Sequence, residues 1–196
     1  MKNYRILLLL CLFGLLQGCL VFTASSLFLS GGVAALNDRR HYDVIAVDAR
    51  IVEDLNEKLN QDNAIEQSAE INVFSYNQRV LLTGTAESQT LRLRAVEIAL
   101  AEDSVRQVHN QIIIRNALSE EQRTWNFKLN ARIQGTLISA AGIDASHPQY
   151  KVLLDNVYLM GLLTRKEAKA VLDIIDNIDG VKNVVPLFEY VKLLPD

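Results

Sequence analysis

The stretch Val157-Tyr158-Leu159-Met160-Gly161 is a second copy of Val80-Leu81-Leu82-Thr83-Gly84. Each copy is followed by a helical stretch and then by a valine-rich strand, and these strands begin at Val105 and Val181. The two spacings from glycine to valine differ by a single residue, which one insertion or deletion explains. Self-similarity of this kind indicates two structural repeats within one chain.

The first repeat has the pattern of a helix, a hairpin, a second helix and a final strand. Apolar residues four apart, separated by polar ones, form a single helical stripe. β-Branched and aromatic residues then predict a strand that turns at Asn77-Gln78. The predicted elements are a helix carrying Val47, Ile51, Leu55 and Leu59, strands over 71–76 and 79–85, a helix carrying Leu91, Ala95, Ile98 and Ala99, and a strand over 105–114.

The second repeat predicts the same order of elements. Thr164 and Glu167 have the spacing of a capping box, in which the hydroxyl accepts from the third helical amide and the carboxylate reaches back. Gly180 supplies a residue free to take positive φ where that helix ends. The predicted elements are a helix over 120–138, a strand around 150–153, a turn at 155–156, a strand over 157–161, a helix with Ala168, Leu172, Ile175 and Ile178 buried, and a strand over 181–193.

The sequence therefore predicts an α+β fold with two tandem domains, 43–116 and 117–196. In each, a three-stranded sheet covered on one face by two helices is a minimal core for so few residues. Because neither domain is large, we expect the two to dock. The glycine after the second strand of each repeat marks a place where the backbone bends or approaches the following helix closely.

The first residues have the order of an export signal. Two positive charges, Lys2 and Arg5, precede an almost wholly apolar run over 6–16. The run ends at Leu16-Gln17-Gly18-Cys19, which resembles the lipobox of bacterial lipoprotein precursors. That resemblance implies that 1–18 is a signal peptide cleaved before Cys19, and that Cys19 carries the lipid. An uncleaved membrane anchor is the alternative, because 20–29 is also apolar.

Residues 19–42 lack sustained periodicity, so we interpret them as the lipidated cysteine followed by a membrane-proximal tether. Arg39-Arg40-His41, near the end of this segment, either contact lipid headgroups or are simply solvated. Carboxylates such as Asp48, Glu53 and Glu57 lie on the predicted polar face of the first helix, where we expect solvation.

The two repeats resemble the BON domain family, whose pattern pairs a Val-x-Leu-x-Gly strand with a later Gly-Val-x-x-Val strand. The match is better in the second repeat, where Gly180-Val181 and Val184 follow the glycine-ended strand, than in the first, which has Ser104 in place of the glycine. With the lipobox, the chain resembles the dual-BON-domain outer-membrane lipoproteins over nearly its whole length.

This resemblance implies a noncatalytic, lipid-anchored protein of the outer membrane that faces the periplasm. It also implies binding to anionic phospholipid, support of outer-membrane integrity, and an association with the barrel-assembly machinery. Leu20 follows Cys19 where inner-membrane-retained lipoproteins of enterobacteria carry Asp, so outer-membrane sorting is what the resemblance predicts.

The first helix of the second repeat is the candidate membrane-contact element, and the resemblance points to the same helix. Such a helix can lay an apolar edge into a bilayer interface while its cations meet phosphatidylglycerol or cardiolipin headgroups. The candidate residues are Trp125, Phe127, Lys128, Leu129, Arg132, Ile133 and Leu137. Core packing is the alternative for Leu129, Ile133 and Leu137, whereas exposure is expected for Trp125 and Phe127. A protein-binding scaffold using the same residues is the alternative function.

Other classes of function find little support in the sequence. A net charge of −3 with interspersed signs gives no broad basic surface for nucleic acid. Both cysteines fall within the first twenty residues, so the sequence predicts no downstream disulfide or thiolate metal site. The histidines, His41, His109 and His147, are scattered without metal-ligand or acid–base spacing. The sequence therefore predicts neither an enzyme nor a cofactor.

Overall fold

A computed structural model of the protein describes residues 38–140 and 148–192. The first repeat begins with a long helix whose buried side chains, Ile51, Leu55 and Leu59, are those of the predicted stripe. Its hairpin turns at Asn77 and Gln78, which both have positive φ, +54° and +61°, as a tight two-residue hairpin turn requires. Its elements are α1 (Tyr42–Gln61), α2 (Asn63–Ser68), β1 (Ala69–Tyr76), β2 (Arg79–Ala86), α3 (Gln89–Leu100) and β3 (Gln107–Ile114).

The second repeat follows the same plan with shorter strands. The Thr164 capping box forms as predicted, and Gly180 has a φ of +99°. Its elements are α4 (Glu120–Ser139), β4 (Gln149–Leu153), β5 (Asn156–Met160), β6 (Leu162–Leu163), α5 (Arg165–Ile175), β7 (Asn183–Pro186) and β8 (Glu189–Tyr190). The continuous final strand predicted over 181–193 is wrong, because the chain leaves the sheet after Pro186 and pairs again, at Glu189–Tyr190, with β6.

The two main sheets have the same topology, β1-β2-β3 and β4-β5-β7. In each, the middle strand runs antiparallel to the first strand and parallel to the third. One face of each sheet packs against helices, and the apolar side chains there form a separate core for each repeat. These features confirm the α+β fold and the two-repeat arrangement predicted from the sequence.

Gly84 does approach another part of the backbone, but the expected neighbour is wrong. The residue has a φ of +117°, and a Cβ there would collide with the Glu70 carbonyl oxygen. Glu70 lies in β1, which pairs with β2, so the close approach is to the neighbouring strand and not to the following helix.

The two domains dock through the sheet faces that the helices leave uncovered. A third apolar cluster joins β1 and β2 of the first repeat to β4 and β5 of the second, with Tyr76, Leu81, Leu153, Tyr158 and Met160 buried at its centre. At one side, the Arg79 guanidinium donates to the Leu187 backbone carbonyl at 3.0 Å, and the side-chain amide of Asn77 donates to the Glu189 carboxylate at 2.7 Å. The expected docking is therefore a sheet-to-sheet contact between repeats of one compact unit.

The residues just before α1 are bound to both domains, which corrects both interpretations of that segment. Arg39 forms two hydrogen bonds to the Glu167 carboxylate, at 2.6 and 2.7 Å, and a third to the Leu162 carbonyl. Arg40 donates to Asp48 at 2.7 Å and stacks over the Tyr76 ring, 4.0 Å from its centroid. Neither arginine is simply solvated, and in this conformation their guanidinium groups bind protein, not lipid headgroups.

Asp48 also corrects a sequence prediction, since it is 3% exposed and not solvated. Its carboxylate accepts from the Ser75 hydroxyl at 2.6 Å, from the backbone N–H groups of Asn77 and Gln78 at 2.8 and 2.7 Å, and from Arg40. These bonds satisfy the carboxylate inside the protein and hold the tight turn between β1 and β2 against α1.

Candidate membrane-contact face

Helix α4, which carries all of the predicted membrane-contact residues, begins at a second capping box. The Ser119 hydroxyl accepts from the Gln122 backbone amide, and the Gln122 side chain accepts from the Ser119 backbone in return. Glu120 and Glu121 occupy the first turn, where negative charge favours the helix dipole. These local signals fix where the helix begins, and the helix then packs against β4 and α5.

Three of the seven predicted contact residues are buried, so their assignment to a membrane face is wrong. Leu129, Ile133 and Leu137 are 1%, 0% and 3% exposed and belong to the core of the second domain. They recur at the spacing that places side chains on one side of a helix, and that side faces the sheet. In this fold they hold the helix to its domain and cannot meet a bilayer.

The opposite side of α4 carries two large apolar side chains that contact solvent. Phe127 is 73% exposed and Ile138 is 70% exposed, and Ala131 lies between them on the same side of the helix. We call Phe127, Ala131, Ile138, Lys128 and Arg132 the outer face. Ile138 was not among the predicted residues, although its separation from Phe127 is close to three helical turns and could have revealed it.

Two cations flank the apolar residues of the outer face. Lys128 is exposed and forms no hydrogen bond or ion pair within the described part of the chain. Arg132 donates to the backbone carbonyl of Asp179, a neutral acceptor that leaves the charge of the guanidinium uncompensated. The outer face thus combines exposed apolar groups with positive charge, which is the composition that favours an anionic bilayer surface.

Trp125 lies at the edge of this face and has a structural role. It is 37% exposed, its indole N–H donates to Asp155 at 3.1 Å, and its ring lies against Gly180. A Cβ at Gly180 would lie 2.8 Å from Trp125 Cζ2, so glycine is required there both for contact and for positive φ. The indole therefore connects the first turns of α4 to the segment before β7, and only its exposed part is available for contact with a membrane.

The described ranges contain no group of three or more His, Cys, Asp or Glu side chains placed to hold a metal ion. Within the same ranges, no helix is long and apolar enough to cross a membrane. Cys19, the predicted signal-peptide cleavage site and the predicted tether up to residue 37 lie outside the described residues, as does His147.

Comparison with known proteins defines the class of protein to which this fold belongs. The BON domain model matches twice, over residues 47–116 and 127–192, which together are more than half of the chain. The chain belongs to the BON domain family and carries two BON domains. All residues of the outer face, from Phe127 to Ile138, lie within the second match, so this face is a surface of the second BON domain.

Named relatives cover much of the chain. It is 28% identical over 183 residues, 87% of its length, to the outer membrane lipoprotein DolP of Haemophilus influenzae, and covers 94% of that protein. It is 27% identical to the 21 kDa hemolysin of Actinobacillus pleuropneumoniae, over 68% of this chain and 69% of that protein. It is 30% identical to an uncharacterized protein of Anaplasma centrale, over 74% of this chain and 94% of that protein. Two BON domains and this similarity make the chain a DolP-like protein.

Proposed function

We propose that the protein is an outer-membrane lipoprotein that binds anionic phospholipid through the outer face of its second BON domain. The observation that carries this proposal is the pair of exposed apolar side chains, Phe127 and Ile138, on the side of α4 away from the core. Exposed apolar groups of this size beside cations favour insertion at a membrane interface, because the apolar groups leave water and the cations approach phosphate.

Lipid on Cys19 is the second part of the proposal. The lipobox pattern and the similarity to an outer membrane lipoprotein support it. Attachment by several acyl chains makes release from the membrane negligible, since each buried methylene contributes about 0.8 kcal/mol. A permanently tethered outer face binds the same surface in an effectively intramolecular step, so weak headgroup contacts suffice. The combined result is support of outer-membrane integrity by a protein without catalytic activity.

Co-sedimentation with vesicles tests the outer face. The chain beginning at Leu20 is mixed with phosphatidylcholine vesicles, with or without phosphatidylglycerol, and the pelleted fraction is measured. We expect pelleting that requires phosphatidylglycerol and that Phe127→Glu abolishes. Leu100→Glu is the matched control, because Leu100 is also an exposed apolar residue at 62%, but lies on α3 of the first domain.

Two outcomes would contradict the lipid-binding proposal: pelleting that is indifferent to phosphatidylglycerol, or pelleting that Phe127→Glu leaves unchanged. Absence of pelleting, together with loss of envelope integrity in cells carrying Phe127→Glu, would favour a protein-binding scaffold that uses the same face. The anchor is tested separately by intact-mass measurement of membrane-extracted protein, in which an unmodified chain beginning at Met1 would refute lipidation of Cys19.

A further inference from the structure

A cleft of about 490 Å³ lies between the two domains, beside the apolar cluster that joins them. One wall is formed by β1 and the end of β2, and the other by α4 and β4. The strands of the first sheet have eight residues, whereas those of the second main sheet have four or five. Part of the first sheet therefore extends past the docked second sheet, and this overhang forms the wall of the cleft.

The lining of the cleft is rich in neutral hydrogen-bonding groups. Side-chain amides and hydroxyls from four elements, α1, β1, β2 and α4, line it, while Phe74 and Phe127 supply apolar surface. These groups include Asn72, Thr83, Thr85, Asn126 and Asn130. Amides and hydroxyls both donate and accept hydrogen bonds, so this lining suits a ligand with hydroxyl groups.

Lys151 brings an uncompensated positive charge to the cleft. Its ammonium group lies over the Phe74 ring, 4.7 Å from the centroid, and makes no ion pair or hydrogen bond with any residue that the structure describes. The Lys151 residue is exposed overall, and partial desolvation of its amine at the cleft lowers its pKa. Arg123, the other cation of the cleft, is already paired with Glu70. A bound anion would supply the partner that Lys151 lacks.

Thr85 gives a second, independent indication of an absent partner. The residue is 1% exposed, yet its hydroxyl oxygen has no hydrogen-bond partner among the described residues. Buried hydroxyls without a partner are uncommon, since each costs free energy in the folded state. Thr85 lines the cleft, in the wall that the overhang forms.

We propose that the cleft binds a phosphate ester that carries hydroxyl groups, with Lys151 pairing the phosphate and Asn72, Thr83 and Asn126 bonding the hydroxyls. A compact ammonium group is a point charge suited to a tetrahedral phosphate. Two sources share this chemistry, free glycerol phosphate and the phosphoglycerol headgroup of a membrane lipid. Phe127 belongs both to the cleft and to the outer face, so the second source rests on the proposed function and the first does not.

Nuclear magnetic resonance titration of the chain beginning at Leu20 tests the cleft. This chain contains the whole compact unit and both BON cores. Glycerol 3-phosphate is added at constant ionic strength, and the amide signals of Asn72, Thr83 and Lys151 are followed. We expect saturable shifts with a dissociation constant on the order of 1 mM. Lys151→Gln should weaken binding about ten-fold, since it removes a charge-assisted bond.

Lys128→Gln is the matched control, because it removes the same charge from the outer face, outside the cleft lining. Binding of glycerol 3-phosphate should survive both Lys128→Gln and Ile138→Glu, which alter the outer face outside the cleft lining, so failure of the membrane proposal leaves this result unaffected. Repeating the titration with bicelles that contain phosphatidylglycerol identifies the source. Shifts of the same signals support a lipid headgroup, and shifts with the soluble probe alone support a soluble ester. Absence of saturable shifts, or equal binding by Lys151→Gln, overturns the proposal.

Discussion

Ile133→Ala and Phe127→Ala should separate folding from membrane binding within one helix. Ile133 is 0% exposed, so truncation leaves a cavity in the core and costs about 2–5 kcal/mol of unfolding free energy. Phe127 is 73% exposed, so its truncation should change that free energy by less than about 0.5 kcal/mol. Full burial of a phenylalanine side chain contributes about 1.5–3 kcal/mol. The part still exposed here is therefore worth about 1–2 kcal/mol on insertion, a factor of about 5 to 30 in vesicle affinity.

Urea unfolding measures the first quantity and vesicle titration measures the second, both with the chain beginning at Leu20. Below the urea transition, folded Ile133→Ala protein should bind phosphatidylglycerol vesicles as the parent does. Phe127→Ala should unfold at the parent's urea midpoint but bind vesicles 5 to 30 times more weakly, by the same estimate. The reasoning is refuted if Phe127→Ala destabilises the fold as much as Ile133→Ala, or if its vesicle affinity equals that of the parent.

Three further changes test the packing and the charges. Gly135→Ala should raise the unfolding free energy by about 0.5–1 kcal/mol, because the residue lies within a continuous helix and a Cβ there meets open space. Urea titration measures this change, and an unchanged urea midpoint contradicts the prediction. Arg39 lowers the pKa of the Glu167 carboxyl from 4.5 to about 2. The unfolding free energy that this ion pair contributes is therefore present above pH 4.5 and declines as pH falls towards 2. Glu167→Gln should make the unfolding free energy less dependent on pH over that window. Burial and Arg79 lower the pKa of the His109 imidazole below 6.5, so as pH falls the unfolded chain takes up a proton before the folded protein does. The unfolding free energy therefore falls as pH drops below 6.5, and His109→Gln should lessen that fall. A His109 pKa at or above 6.5, measured by NMR in the folded protein, would contradict this prediction.

Local signals were sufficient to predict most elements of both repeats. The turn at Asn77-Gln78, the capping box at Thr164 and the positive φ of Gly180 all depend on residues close in sequence, and the structure confirms each. Asp48 was misassigned because its partners are remote, with Ser75 lying 27 residues away. On a helical wheel, a carboxylate one position from the apolar stripe has the same appearance whether it is solvated or buried with partners.

The candidate site was predicted at the level of the helix but not of its faces. Apolar residues occupy two sides of α4, with Leu129 and Ile133 on one and Phe127 and Ile138 on the other. Periodicity identifies such stripes, yet it does not determine which of two stripes meets a sheet, since that depends on the position of β4 and α5. Lys151 was missed for a related reason, because only docking of the second domain brings its amine over the Phe74 ring.

The sequence of the repeated strands β2 and β5 contains a pattern that indicates the docking of the two domains. A strand with one face in solvent alternates apolar and polar residues, whereas a strand buried on both faces is apolar at successive positions. Val80-Leu81-Leu82 and 157–160 are such runs, and every residue in them is buried. Val80 and Leu82 face the helices of their own domain, so Leu81 required a further layer, and Tyr158 of the second domain belongs to it. Because the same apolar contact holds β4 opposite β1, any change that loosens it should open the cleft at Lys151 while leaving each domain core intact.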